Sequence, residues 1–111
     1  MDAFETYREL DNALAEAADA LSQMRSDGQR KAKAEADYRA AKATATLKAR
    51  MEGVPVTIIK DVLFEDPALC AFRYERDVAE TLYDASREQV MLLKLRINVL
   101  RDRMEQISRA S

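Results

Sequence analysis

Apolar side chains recur at alternating steps of three and four residues along the C-terminal half of the chain. The steps begin at Leu69 and continue to Ile107. Ten of the twelve positions on this stripe are apolar or aromatic: Leu69, Phe72, Arg76, Ala79, Tyr83, Ser86, Val90, Leu93, Ile97, Leu100, Met104 and Ile107. A period of 3.5 held for this length is typical of a coiled coil. With Asp66 as N-cap and Pro67 in the first turn, the pattern predicts a helix over 67–109.

The N-terminal half carries a second helical pattern. Asp2 and Glu5 have the spacing of a capping box. An apolar stripe follows at helical steps: Phe4, Tyr7, Leu10, Leu14, Ala17, Leu21 and Met24. Gly28 interrupts the pattern and predicts a weak point in a continuous helix, since glycine costs about 1 kcal/mol against alanine there. We expect this helix to span 2–51, with Gly53 in the left-handed conformation that ends helices.

The segment 52–66 between the two helices is rich in β-branched residues, which favour extended structure. Proline at position 55 also biases the preceding residue towards extended backbone. We therefore expect an extended linker. Either it is an ordered loop that covers the end of a hairpin, or it is a strand that pairs with another chain. The residues assigned to this assembly element are Val54, Pro55, Val56 and Ile58.

Charge indicates how the two helices pair. Residues 1–24 hold six acids and one base, whereas residues 25–50 hold eight bases and three acids. Residues 68–89 hold five acids and three bases, and residues 90–111 hold two acids and five bases. Opposite charges lie side by side only if the helices are antiparallel. The predicted fold is all-α, a single domain over 1–111 in which two long helices form an antiparallel coiled-coil hairpin joined by the extended linker.

Self-association is expected because the chain is short and much of its apolar content is alanine, which buries little area. Met91, Leu92, Leu95 and Val99 widen the apolar face of the second helix beyond what one partner helix covers. We predict a homodimer or a higher homo-oligomer. Its interface residues are predicted to be Val90, Leu93, Ile97, Leu100, Met104 and Ile107.

Motifs that carry chemistry are not found in the sequence. No phosphate-binding glycine loop or nucleophile elbow appears, and a chain with no histidine and one cysteine lacks the usual zinc ligands. Four carboxylates could approach one another near the middle of the hairpin: Glu35, Asp37, Glu75 and Glu80. A two-helix rod offers no pocket to perturb their pKa values. We therefore predict no catalytic residues, no metal, no cofactor and no enzymatic activity.

Two further groups of residues need interpretation. The basic segment 25–50 predicts either a salt-bridged helix face or phosphate contacts to nucleic acid. The candidate nucleic-acid contacts are Lys31, Lys33, Arg39, Lys42, Lys48 and Arg50. Arg76 falls on the apolar stripe, where a charge either fixes helix register or extends its head to water. Cys70 is interpreted as a small apolar side chain near a helix start, with an intermolecular disulfide or a reactive thiol as the alternative. The absence of a long apolar stretch and the polar, acidic first residues predict a cytoplasmic protein that does not enter a membrane.

The segments DYRAAKA, EGVPVTIIKD and ALCAFRYERDVAETLYDA together resemble small uncharacterised proteins encoded by bacteriophages and prophages of Gram-positive bacteria. The resemblance covers about residues 30–100 and is carried by Tyr38, Gly53, Pro55, Val56, Thr57, Arg76, Asp77, Ala79, Glu80 and Tyr83. It implies a phage origin and a place among genes of DNA recombination or replication, but no biochemical activity.

The function predicted from the sequence is therefore a non-enzymatic structural or protein-interaction module with a phage or host protein as partner. A nucleic-acid-binding accessory is the first alternative. A prefoldin-like holdase is the second, although the linker lacks the turn signal of a β-hairpin.

Overall fold

The protein is all-helical over residues 2–110, the part of the chain that the computed structural model describes. Its elements are α1 (Ala3–Met51), α2 (Val56–Phe64) and α3 (Pro67–Ala110). No residue of this range lies in a strand. The predicted all-α class is confirmed, and the two long helices are accompanied by a short one that the sequence did not predict.

The long helices divide into two compact units. Residues 2–26 and 84–110 form one of them, which we call the terminal unit. Residues 27–83 form the other, the central unit, which contains α2 and the adjoining parts of α1 and α3. Each unit pairs a segment of α1 with a segment of α3, so each has its own packing and its own surface.

Both long helices begin at an aspartate that caps the first turn. The Glu5 amide donates to Oδ1 of Asp2 at 2.8 Å, and the Leu69 amide donates to Oδ1 of Asp66 at 3.0 Å. Each bond satisfies one of the amides that a helix start leaves without an intrahelical acceptor. Pro67 is the first residue of α3, where a missing N–H is tolerated.

The end of α1 is set by Gly53, whose φ is +80°. Its amide donates to the carbonyl of Arg50 at 3.1 Å, and the Val54 amide donates to the carbonyl of Ala49 at 3.0 Å. These two bonds form a Schellman motif, which requires the left-handed conformation at the glycine. The predicted role of Gly53 is confirmed.

The predicted extended linker over 52–66 is wrong, because residues 56–64 form α2. Ile59 and Leu63 lie one turn apart on α2 and are buried with Ala49 and Leu69. Val56 and Ile58 are exposed, and Val54 packs against the edge of this cluster. Residues 52–55 and 65–66 are short non-helical connections on either side of α2, and no residue of the segment lies in a strand.

Burial outweighs intrinsic preference in α2. Its five β-branched residues cost about 0.5 kcal/mol each against alanine in a helix, or about 2.5 kcal/mol together. Burial of the Ile59 and Leu63 side chains contributes about 1.5–3 kcal/mol each. The helix is therefore favoured once α1 and α3 supply a surface on which these two side chains can pack.

The predicted stripe of α3 is reproduced by the burial of its side chains. Buried positions on the stripe are Leu69, Ala79, Val90, Leu93 and Leu100, and half-buried ones are Arg76, Tyr83, Ser86, Ile97, Met104 and Ile107. Phe72 alone on the stripe is exposed. The period of 3.5 therefore identified the inward face of α3.

The predicted stripe of α1 is only partly buried: Leu10, Ala17 and Met24 are half-buried, whereas its four other members are exposed. Phe4, Tyr7, Leu14 and Leu21 keep 45–68% of their surface exposed. The fully buried residues are Thr6 and Ala13, both at 0%, and Ala17, Ala20 and Met24 are half-buried. The completely buried positions of α1 thus carry small side chains, opposite large Val and Leu side chains of α3, while Phe4, Tyr7, Leu14 and Leu21 remain on the outside.

In the central unit, Gly28 of α1 leaves space for a large side chain of α3. A Cβ at this position would lie 3.3 Å from Cε2 of Tyr83, and the Nζ of Lys31 lies 4.8 Å from the centroid of the same ring. Helix α1 continues through Gly28 without a break. The glycine makes room for the tyrosine ring, although it weakens the helix locally.

Replacing Ala13 with Leu is expected to destabilise the protein by about 1–3 kcal/mol, because the added carbons overpack a fully buried position. Ala15→Leu places the same side chain on the exposed side of α1 and is expected to change stability by less than about 0.5 kcal/mol. Urea unfolding followed by circular dichroism measures both. Equal stability of the two variants would contradict the inward position of Ala13.

Candidate functional site

A cleft of about 480 Å³ opens in the central unit among α1, α2 and the start of α3. It is lined by Tyr38, Lys42, Thr46, Arg50, Val56, Ile59, Lys60, Leu63, Phe64, Leu69 and Arg73. The buried cluster of Ile59, Leu63 and Leu69 forms its floor. Because this volume lies within the range of ligand pockets, the cleft is the first candidate site.

The rim of the cleft is basic. Four of its lining residues are cations, Lys42, Arg50, Lys60 and Arg73, and none is an acid. Within residues 2–110, no carboxylate forms an ion pair with Lys42, Arg50 or Lys60. The site therefore combines an apolar floor with unneutralised positive charge, which favours an occupant that is apolar on one side and anionic at its margins.

Two arginines of α3 lie over the aromatic rings that line the cleft, Tyr38 and Phe64. The guanidinium of Arg76 lies 4.4 Å from the centroid of the Tyr38 ring, and the guanidinium of Arg73 lies 4.5 Å from the centroid of Phe64. Such cation–π contacts contribute about 0.5–1 kcal/mol at exposed sites. Both aromatic rings of the cleft are thus already covered on one face by a guanidinium group.

Arg76, on the predicted stripe of α3, forms ion pairs with one acid of α1 and one acid of α3. Its Nη2 lies 3.1 Å from a carboxylate oxygen of Asp77, its Nε lies 4.0 Å from one of Glu35, and its side chain is 28% exposed. The side chain is half-buried while its guanidinium stacks on Tyr38 and forms ion pairs. The two interpretations offered for this charge, register and an outward-reaching head, are both consistent with this arrangement.

The electrostatic environment of the cleft acts on Tyr38. A hydrogen bond with the Arg73 side chain lowers the pKa of the Tyr38 hydroxyl below its ordinary value, and the charges of Lys42, Arg73 and Arg76 act in the same direction. Desolvation opposes the shift. The same hydrogen bond raises the pKa of Arg73, so that guanidinium stays protonated.

The Tyr38 hydroxyl is expected to ionise at a lower pH in the native protein than in the Arg73→Gln variant. Because the folded pKa lies below the unfolded one, ionisation of Tyr38 favours the folded state as the pH rises through the folded pKa. Near-ultraviolet absorbance of tyrosinate, referenced to Tyr38→Phe, measures the shift. Arg25→Gln removes an exposed arginine elsewhere on α1 and should leave the titration of Tyr38 unchanged; an equal effect would contradict the assignment to Arg73.

The terminal unit presents a different candidate, an exposed apolar face on α3. Met91, Leu92, Leu95 and Val99 keep 55–62% of their surface exposed, whereas Val90, Leu93 and Leu100 beside them are buried. We call these four exposed residues the outer face of α3. Of the six predicted interface residues, three are thus buried within one chain, and Ile97, Met104 and Ile107 are half-buried. Their role between chains stays a prediction.

The basic residues proposed for nucleic-acid contact do not share one environment. Lys33 forms an ion pair with Asp37 at 2.8 Å, and Arg39 forms one with Glu35 at 2.9 Å, while Lys31 lies over Tyr83. Lys42 and Arg50 line the cleft, and Lys48 lines a separate groove with Leu47 and Met51.

The predicted assembly residues of the linker also lie in different places: Val56 lines the cleft, and Pro55 is the N-cap residue of α2.

Two of the four cations of the cleft, Lys60 and Arg73, were missed by sequence reasoning. Lys60 lies on α2, which the β-branched composition concealed, and Arg73 lies on α3 where that helix lines the same cleft. The signal that was present is the spacing of Val56, Ile59 and Leu63, at steps of three and four, which is the spacing of one helix face. Cys70 is exposed, and its thiol donates to the carbonyl of Phe64 at 3.3 Å.

Other kinds of site are absent from the described part of the chain. Residues 2–110 contain no group of three side chains placed to hold a metal ion. None of the three helices combines the length and apolarity needed to cross a membrane.

Comparison with protein families, with curated proteins and with solved structures yields no match to this chain. The resemblance to phage-encoded proteins therefore stays a prediction, and function is inferred from the two surfaces described above.

Proposed function

We propose that this protein is a non-enzymatic protein-interaction module that self-associates through the outer face of α3. The observation that carries the proposal is the exposure of Met91, Leu92, Leu95 and Val99 on a helix whose opposite side is already packed. Adjacent exposed apolar side chains on one helix face are typical of interaction sites. A phage or host protein partner is compatible with the same surface.

Part of this proposal is that α1 and α3 form an antiparallel coiled coil. Contacts in the central unit support it, since Gly28 lies by Tyr83, Glu35 by Arg76, and Ala49 by Leu69. Residue numbers therefore rise along α1 as they fall along α3. In the terminal unit, both Glu9 and Glu16 lie within ion-pair distance of Arg96. The 3.5-residue stripe of α3 provides the knobs of such a packing.

The expected association is weak. Covering half of a large apolar side chain contributes on the order of 1 kcal/mol. In a twofold contact each copy supplies the same four residues, so eight side chains contribute about 8 kcal/mol. Loss of translational and rotational freedom costs about 4–15 kcal/mol. The two terms are of similar size, and we expect an equilibrium that depends on protein concentration.

The double variant Leu92→Gln with Leu95→Gln is expected to lower the self-association constant by at least about tenfold, because two of the four apolar side chains become polar. Sedimentation velocity over a range of concentrations measures this. Leu47→Gln with Met51→Gln makes a comparable apolar-to-polar change at two exposed positions of α1 and should associate like the native protein. Native behaviour of the first variant, or a native protein that stays monomeric, contradicts the proposal.

A second candidate function, nucleic-acid binding, is favoured by one observation. Lys42, Lys48 and Arg50 form no ion pair with any residue in 2–110, so their charges remain available for phosphates. Fluorescence anisotropy of labelled DNA and RNA at increasing salt tests this. Phosphate contacts predict binding that weakens steeply with salt and that is lost when all three residues are changed to Gln. No binding at low salt excludes this function.

A further inference from the structure

Two surfaces of this chain are complementary in both charge and apolar character. One is the cleft of the central unit, with its apolar floor and its rim of Lys42, Arg50, Lys60 and Arg73. The other is the exposed side of α1 in the terminal unit, which we call the acidic stripe. It consists of the acids Glu5, Asp11 and Asp19 and the apolar residues Phe4, Tyr7, Leu14 and Leu21.

The acidic stripe carries negative charge that the chain does not neutralise. Residues 2–24 contain six acids and a single base. Glu9 and Glu16 lie near Arg96. The side chains of Glu5, Asp11 and Asp19 form no ion pair with any described residue. A basic partner surface would therefore meet three free carboxylates beside exposed apolar side chains.

We propose that the cleft of one molecule binds the acidic stripe of a second copy. The spacing of the charges supports this pairing. Lys42 and Arg50 are eight residues apart on α1, and so are Asp11 and Asp19; both separations correspond to about 12 Å along a helix. In this pairing Leu14, the apolar member of the stripe between Asp11 and Asp19, would cover the floor of the cleft.

The contact is heterologous, because it joins two different surfaces. It rests on the proposed function in that the protein self-associates, and it adds a contact separate from the outer face of α3. A nucleic acid is a poorer occupant of the same cleft. Its phosphates would gain nothing from the apolar floor, and a base stacking on Tyr38 or Phe64 would compete with the guanidinium groups already over those rings.

The test uses the full chain carrying Leu92→Gln and Leu95→Gln, so that association through the outer face of α3 is weakened. In this background Lys42→Glu is expected to lower the low-salt association constant about tenfold, because it puts a negative charge opposite the acidic stripe. Lys48→Glu is the matched control. It makes the same change on the same helix, also at a lysine without an ion pair, but outside the cleft. Sedimentation velocity measures association, and circular dichroism verifies that each variant is folded.

A mixing experiment identifies the heterologous geometry. Asp11→Lys is expected to weaken self-association as Lys42→Glu does. In a mixture of the two variants, the native cleft of one can bind the native stripe of the other, and the two substituted side chains, which have opposite charges, can face each other. Heteromeric complexes are therefore expected to form more tightly than either variant associates alone.

Three results would overturn the proposal. The first is equal association of the Lys42→Glu and Lys48→Glu proteins, and the second is a mixture that associates no better than its components. The third is a Lys42→Glu protein that self-associates normally but no longer binds a labelled single-stranded oligonucleotide, which would assign the cleft to nucleic acid. A different result would contradict self-association through the outer face of α3: the Leu92→Gln and Leu95→Gln substitutions would leave association unchanged.

Discussion

The packing of small side chains of α1 against large side chains of α3 is the constraint that decides which surfaces of the terminal unit are exposed. Thr6 and Ala13 are completely buried on α1, while Val90, Leu93 and Leu100 are buried on α3. Small residues on one helix allow large ones on the other to fill the space between them at native density. The large residues of α1 are then left outside, and they give the terminal unit its exposed Phe4 and Leu14.

The same constraint explains which parts of the fold could be predicted. The stripe of α3 was correct because its large side chains are the ones buried, so hydrophobicity and burial coincide. The stripe of α1 was only partly correct because the two do not coincide there: hydrophobicity selected Leu14 and Leu21, which are exposed, whereas Ala13 and Ala20 are buried or half-buried. Periodicity weighted by residue size misleads on a helix that buries its smallest side chains.

Features that depend only on neighbouring residues in the chain were predicted correctly. The caps at Asp2 and Asp66 and the left-handed Gly53 each depend on a few neighbouring residues, and each was found in the sequence. Helix α2 depends instead on a surface made by residues distant in the chain. Its β-branched composition favours strand, and only burial against Ala49 and Leu69 reverses that preference. The cleft was missed for the same reason, since Lys60 reaches it only when α2 is helical.

Tyr38 gives the cleft an optical property of its own. The chain contains four tyrosines and no tryptophan, so tyrosine dominates its intrinsic fluorescence. The guanidinium of Arg76 lies over the ring of Tyr38, whereas Tyr7 and Tyr74 are exposed. Anything that enters the cleft changes the surroundings of one emitter among four. The protein thus contains a label-free reporter of occupancy at its own candidate site, and a Tyr38→Phe variant supplies the blank.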